Sequence, residues 1–353
     1  MQDFFLTGTT VSLSTAQLQN LFHSIYDWRP RIHQDVFLGL NLQWPQFDLP
    51  PAERYFISFH TEQADIHWIV AQAQRVYPKS VLIAYDGSID SSVLPNNVQV
   101  VRWITWHQQL AQLVDQFGVC ADPQLPQYKL SSLSYRLSQY KTFITAYLLA
   151  HAQHTDIVLT HHHQVMKPED LHGYPAGISW LDQLDLDLKH TLINFDDDFA
   201  QQVTSPVING GWHNPAYTNA LVNCTNESFH YSQSTDFVFP GPYITEKTWK
   251  PLLAGRPFVS VAQWHVYSAL EELGLSFDFG FDRSFDSDPG DLTRIRDIFG
   301  AIDQVLNTTT QELYEHSLPA VRHNVNWIQS GAFADQCCTV NQVSQQIINE
   351  FIK

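Results

Sequence analysis

The feature that most constrains the fold is an alternation of strand and helix patterns in the first third of the chain. Residues 55–59 and 81–85 are short apolar, β-favouring runs, and apolar residues recur at helical spacing across 66–76. A further strand pattern over 98–104 precedes a helical pattern over 108–117. Because parallel strands need a crossover between them, this order predicts a parallel sheet with covering helices.

The alternation stops at a polar, proline-bearing segment and then resumes. We interpret residues 119–128 as a linker between an acceptor-side domain over 1–118 and a second α/β domain over 129–353. The patterns that resume are strands at 157–159, 221–224 and 258–261, and helices at 137–148, 292–306 and 340–351. The sequence therefore predicts an α/β chain of two Rossmann-like domains facing each other across a cleft, with the last helix packing back on the N-terminal domain. Ligands of such sheets bind beyond the carboxyl ends of the strands, so loops that follow strands are the places to search.

Charge narrows the choice of partners. The chain carries 19 Lys and Arg against 36 Asp and Glu, a formal net charge of −17. So acidic a surface lacks the cations that nucleic-acid binding requires and is repelled by anionic lipid headgroups. We expect no nucleic-acid partner and at most peripheral membrane contact.

Compartment signals are weak but agree with one another. The chain starts with no cationic segment followed by an apolar one, and eighteen apolar residues never run together. The four cysteines, Cys120, Cys224, Cys337 and Cys338, form no CxxC pair. We expect reduced thiols and a cytoplasmic location.

The most informative stretch runs from Tyr243 to Phe258, YITEKTWKPLLAGRPF. Gly255 predicts the end of a helix, and because proline is tolerated in a first helical turn, Pro251 predicts a helix start near residue 249 with Thr248 as its N-cap. On this interpretation Glu246 and Lys247 lie in the loop just before the helix.

That position suits a nucleotide. Amide groups at a helix start with a lysine beside them bind a diphosphate, and a neighbouring carboxylate can accept hydrogen bonds from ribose hydroxyls. Three of the few cations, Lys247, Lys250 and Arg256, fall within ten residues here. The simpler alternative is an amphipathic helix with a solvated polar face, in which Trp249 packs in the core.

The run from Tyr243 to Val259 resembles the donor-binding motif of GT-B-type glycosyltransferases related to the α1,3-fucosyltransferases (glycosyltransferase family 10-like). That motif has an aromatic residue, Thr-Glu-Lys, a short helix ending in Ala-Gly, and then Pro and an apolar strand. The resemblance implies donor-binding roles for Tyr243, Thr245, Glu246, Lys247 and Thr248.

Two further segments are similar to parts of the same enzymes. Residues 222–228 resemble the strand and turn that precede the motif, with Glu227 as the matching acid. Residues 129–136 resemble the start of the second domain, where a basic residue approaches the donor diphosphate. The family has Arg where Lys141 falls, so Lys141 and Arg136 are competing candidates for that contact.

The activity that the resemblance implies is transfer of a sugar from a nucleoside-diphosphate donor to a hydroxyl of a glycan or lipid-linked oligosaccharide, as in polysaccharide biosynthesis. Lys247 would offset the growing charge of the leaving diphosphate, so we expect no metal and no other cofactor. An inverting transfer also needs a general base, which the resemblance places in the N-terminal domain. Loops after strands there offer Asp86, His60 and Glu62, although Asp86 also suits an ordinary turn and Glu62 a helix cap.

Two other functions remain open at this point. A non-catalytic nucleotide- or glycan-binding protein would keep the phosphate site and lack a base. A metallohydrolase would use the cluster His161-His162-His163, but adjacent histidines on an extended chain point in different directions and bind one ion poorly. The acidic run Asp196-Asp197-Asp198 is interpreted as a solvated loop rather than a metal site.

Overall fold

The computed structural model shows a mixed α/β fold with parallel sheets, as the sequence predicts at that level. The described residues are 31–33, 36–39, 51–58, 66–85, 94–104, 106–134, 141, 143–144, 147–148, 157–161, 212–213, 215–227, 242 and 244–352. They divide into two compact units, one within residues 1–107, 231–243 and 334–353 and the other within 108–230 and 244–333.

The first unit contains a five-stranded sheet in the order β1-β2-β3-β4-β5. Its strands are β1 Arg31–His33, β2 Val36–Gly39, β3 Arg54–Ser58, β4 Ser80–Tyr85 and β5 Val98–Arg102. Strand β1 is antiparallel to β2, and the remaining pairs are parallel. Helix α1, Ile66–Arg75, connects β3 to β4, and helix α2, Trp106–Phe117, follows β5.

Apolar side chains cover both faces of β3 and β4. On one face Tyr55, Ile57 and Ile83 pack with Ala73 of α1. The other face is covered by the last helix, α8 (Ala332–Ile352), in a cluster listed here: Phe56, Leu82, Ala84, Val101, Trp103, Ile348 and Ile352. A parallel sheet buried on both faces needs such near-continuous apolar strands, which explains the runs visible in the sequence.

The second unit contains a four-stranded sheet in the order β7-β6-β8-β9, with every neighbouring pair parallel. Its strands are β6 Tyr128–Ser134, β7 Ile157–His161, β8 Ala220–Asn226 and β9 Phe258–Val261. Besides residues 108–117 of α2, this unit holds the described helices α3 Pro215–Thr218, α4 Glu246–Leu253, α5 Val266–Glu271, α6 Asp291–Asn307 and α7 Thr310–Gln329. In the predicted linker, the Cys120 N–H donates to the Leu253 carbonyl at 2.7 Å.

The structure also describes the cysteines and the character of the helices. All four cysteines are free thiols. Of the helices within the described residues, none has both the length and the apolar character needed to cross a membrane.

Candidate functional site

The carboxyl edge of the second sheet brings several polar residues to one side. Because its strands are parallel, the ends of β7, β8 and β9 lie at the same edge. Glu227 comes directly after β8, and Gln263 to His265 follow β9. Helix α4 starts beside the end of β8, since Thr245 and Thr248 both bond to Glu227.

Helix α4 begins earlier than the sequence predicts. It starts at Glu246, and Thr245 is its N-cap, so the prediction of a start near residue 249 with Thr248 as the cap is wrong. Pro251 lies inside the helix and not in its first turn. Thr245 accepts hydrogen bonds from three amides at the helix start, and the side chain of Trp249 is fully buried. These contacts outweigh the local effect of Pro251 on where the helix begins.

Thr245 organises this helix start. Its hydroxyl accepts from the Lys247 N–H at 3.3 Å, and its carbonyl accepts from the N–H groups of Thr248 at 3.0 Å and Trp249 at 3.3 Å. These three amides are therefore occupied within the helix. The capped turn therefore engages the amides of Lys247, Thr248 and Trp249, and the Lys247 side chain is the partly exposed basic group at the helix start that could meet an anion.

Glu246 and Lys247 are the partly exposed members of the site. Their side chains are 34% and 29% exposed, and the Lys247 Nζ lies 3.5 Å from the Glu246 Oε1. The same Nζ donates to the Thr245 hydroxyl at 3.2 Å. A carboxylate and an ammonium group thus stand side by side at the start of α4, where the helix dipole adds partial positive charge.

Glu227 is fully buried behind this pair. Its Oε1 accepts from the Thr245 N–H at 3.1 Å and the Thr248 hydroxyl at 2.6 Å, and its Oε2 accepts from the Thr245 hydroxyl at 2.5 Å. Three donors from the helix start thus meet on one carboxylate.

Lys250 of α4 and Tyr217 of α3 are both buried and lie close to each other. The Lys250 Nζ lies 5.9 Å from the centre of the Tyr217 ring. Burial lowers the pKa of Lys250, although nearby Glu246 acts in the opposite direction. Burial, followed by the charges of Glu246 and Glu227, raises the pKa of Tyr217. The three acidic and basic groups of α4 therefore form one local charge cluster with Tyr217.

Arg256 does not join that cluster. It is buried and donates to the carbonyls of Gln124 at 2.7 Å and Thr218 at 2.6 Å, so it ties the segment before β6 to the end of α3. Of the three cations that the sequence places together, Lys247 is the one with a partly exposed side chain, because Lys250 and Arg256 are both buried.

The loop after β9, residues 262–265, is a part of this edge that the sequence motifs do not predict. His265 has a left-handed backbone with φ of 65°, and its ring stacks on Trp264 with centroids 4.5 Å apart. The Asp286 carbonyl accepts from the His265 N–H at 2.7 Å, and the buried Arg294 donates to the Ala262 carbonyl at 3.2 Å. Only the position of Trp264 and His265 after a strand of the second sheet could indicate them from the sequence.

Several predicted residues cannot be placed in this arrangement. Five candidates lie outside the described residues: His60, Glu62, Asp86, Arg136 and Tyr243. The choice of a general base therefore stays a prediction. Lys141 is helical and buried, and the choice between it and Arg136 also stays a prediction.

The rival metal sites are affected in the same way. His161 ends β7, but its side chain, His162, His163 and residues 196–198 lie outside the part that the structure describes. Within the described ranges, His, Cys, Asp and Glu form no group of three or more that could hold a metal ion.

Comparison with known proteins adds no family assignment. No protein-family model matches the chain, and a comparison with curated proteins finds no match. The case for a function therefore rests on the geometry at the carboxyl edge of the second sheet.

Proposed function

We propose that this protein is an inverting, metal-independent glycosyltransferase of GT-B-like organisation, which moves a sugar from a nucleoside-diphosphate donor to a hydroxyl of a glycan or lipid-linked oligosaccharide. The observation that carries the proposal is the Glu246–Lys247 pair, partly exposed at the start of α4 beside a parallel strand end. The Lys247 ammonium group and the positive end of the α4 dipole favour an anion at this position, and the motif that contains the pair resembles the donor site of known transferases.

Each member of the pair has a distinct task. The Lys247 ammonium group meets the diphosphate, whose negative charge grows as the bond between the sugar carbon and the phosphate oxygen breaks. The Glu246 carboxylate accepts hydrogen bonds from the ribose hydroxyls, since it would repel a phosphate. The acceptor oxygen forms the new bond to the sugar, and its proton passes to a base among Asp86, His60 and Glu62.

The first test separates the two tasks by calorimetry with UDP, GDP and pyrophosphate. Lys247→Ala should weaken both kinds of ligand about tenfold, the loss expected for one charged hydrogen bond. Glu246→Ala should weaken the nucleotides and leave pyrophosphate nearly unchanged. Equal weakening of both ligands by Glu246→Ala would show that this residue has no ribose role.

A matched control is available in the other unit. Lys79 pairs with Glu53 and is also partly exposed, so Lys79→Ala removes the same charge from a similar ion pair. It should leave every affinity unchanged. If Lys79→Ala weakens the ligands as much as Lys247→Ala does, the effect is one of overall charge and the site is not at α4.

Turnover distinguishes the proposal from its two rivals. The chain should release nucleoside diphosphate from at least one member of a panel of nucleotide sugars, with and without a chelator. Binding without turnover would indicate a non-catalytic binding protein. Activity that a chelator abolishes would indicate a metal-dependent hydrolase.

A further inference from the structure

Glu227 is buried and does not face solvent. Its side chain is fully buried, and its carboxylate accepts from Thr245 and Thr248, which lie 18 and 21 residues further along the chain. These bonds join the end of β8 to the first turn of α4. Both residues that carry the proposed donor contacts, Glu246 and Lys247, lie between the two threonines.

The cost of burying a charge gives this link resistance to displacement. Moving a carboxylate out of water costs several kcal/mol unless hydrogen bonds replace its hydration. Here the replacement comes from the start of α4, and the negative charge also favours a helix N-terminus. Displacing the first turn of α4 would leave a buried charge without these donors. Glu227 therefore restrains the backbone that carries Glu246 and Lys247.

We propose that Glu227 is a positioning residue, which fixes Glu246 and Lys247 through Thr245 and Thr248 and does not itself contact the donor. The proposal rests on the proposed function and refines it, because the resemblance places Glu227 among the donor-binding residues. It also predicts what the residue controls. Loss of the carboxylate should disturb Lys247 and Glu246 together.

The two roles differ in one measurable way. A residue that touches the ribose affects nucleotides and spares pyrophosphate, as expected for Glu246. A residue that positions Lys247 affects both. Glu227→Gln removes one acceptor oxygen with little change of shape, so it should weaken UDP or GDP and pyrophosphate alike, by about tenfold.

Threonine variants test the route of the effect. Thr248→Val removes the hydroxyl that bonds to Glu227 and should also weaken both ligands, whereas Thr248→Ser keeps the hydroxyl and should bind like the wild type. Because the two side chains act as one unit, Glu227→Gln combined with Thr248→Val should cost less than the sum of the single changes.

A control must separate positioning from loss of stability. Ser131 donates a buried hydrogen bond to Asn223 at 2.7 Å in the same sheet. Asn223 lies four residues before Glu227 on β8, about 13 Å away at the rise of a strand. Ser131→Ala should lower the melting temperature and leave affinities of the folded protein unchanged.

Amide hydrogen exchange of the ligand-free protein supplies a readout that needs no nucleotide. Glu227→Gln should speed exchange across residues 245–250 and spare β9. Unchanged exchange there overturns the proposal, as does wild-type affinity in Glu227→Gln or selective loss of nucleotide binding. If the wild type binds neither nucleotide nor pyrophosphate, the proposed function fails. The exchange rates then decide by themselves whether Glu227 holds the start of α4.

Discussion

The two sheets of this protein bury different kinds of side chain in their central strands. Among the side chains of β3 and β4 that the structure describes, the buried ones are all apolar or aromatic, including Phe56, Leu82 and Tyr85. In β6 and β8 the buried residues include the polar set Ser131, Ser132, Asn223, Thr225 and Asn226. Both sheets are parallel there, so topology does not account for the difference.

The polar residues of the second sheet bond to one another across the strands. Ser131 donates to Asn223 at 2.7 Å, and Asn226 donates to Ser132 at 3.0 Å. Burying polar groups costs desolvation free energy, and such a network fixes one arrangement of the core only when its groups are hydrogen-bonded. Asn223 and Asn226 lie on β8, and the next residue after this strand is Glu227, which bonds to the start of α4. The comparison indicates that the first sheet is built for stability and that the second also holds a fixed arrangement of polar groups.

The largest expected effect tests the apolar sheet. Phe56 is fully buried between β4 and α8, so Phe56→Ala should lower the free energy of unfolding by about 3–5 kcal/mol through lost burial and a cavity. Denaturant unfolding measures this loss, and nucleotide affinity of the folded protein should not change. A loss below about 1 kcal/mol would show that this face is not a tightly packed core.

The sequence predicts apolar strands better than strands with polar residues, for a physical reason. Strands β3, β4 and β9 are apolar runs whose positions are readable, and the prediction of 258–261 for β9 is confirmed. Strand β8 is seven residues long and extends beyond the predicted 221–224 to the polar Thr225 and Asn226. A strand predicted from an apolar run ends at the first polar residue, although Thr225 and Asn226 are buried and hydrogen-bonded.

Helices were missed or shifted for similar reasons. The sequence patterns do not predict helix α7, Thr310–Gln329, because its buried face includes the polar Ser317 and Asn324 and the helix contains a proline. At α4 the motif pointed to the correct segment, but Pro251 suggested too late a start. Neither the bonds of Glu227 nor the backbone of His265 could be predicted, because both depend on contacts between distant parts of the chain.

A smaller expected effect tests whether the hydrogen bond between Ser131 and Asn223 stabilises the second sheet. Asn223→Ala leaves the buried Ser131 hydroxyl without its acceptor and should cost about 1–3 kcal/mol of unfolding free energy. The double variant Ser131→Ala with Asn223→Ala, which removes both polar groups, should cost less than the sum of the two single changes. Chemical denaturation of all variants measures the coupling. Strict additivity would mean that the two residues act independently and that the polar pair is incidental.

The smallest expected effect compares the pKa of a buried thiol in the polar sheet with that of a buried thiol in α8. Burial raises the pKa of Cys224 to about 12, although Ser132 acts in the opposite direction, and burial raises the pKa of Cys337 in α8 to about 12 as well. In the unfolded chain these thiols ionise near pH 9, while the folded protein keeps its protons.

The sign of the pH dependence follows from that difference. The stabilisation is complete below pH 9 and is lost as pH rises towards 12, because the unfolded state binds fewer protons than the folded state in that window. Each thiol should contribute a loss of about 1 kcal/mol between pH 9 and 10. Urea unfolding at pH 9 and pH 10 measures how much unfolding free energy the wild type, Cys224→Ala and Cys337→Ala each lose over this interval. Each variant should lose less than the wild type, and by the same amount. A clearly smaller reduction for Cys224→Ala would mean that the polar neighbours in β6 and β8 offset its burial, and the two regions would then differ in their electrostatics as well as in their packing.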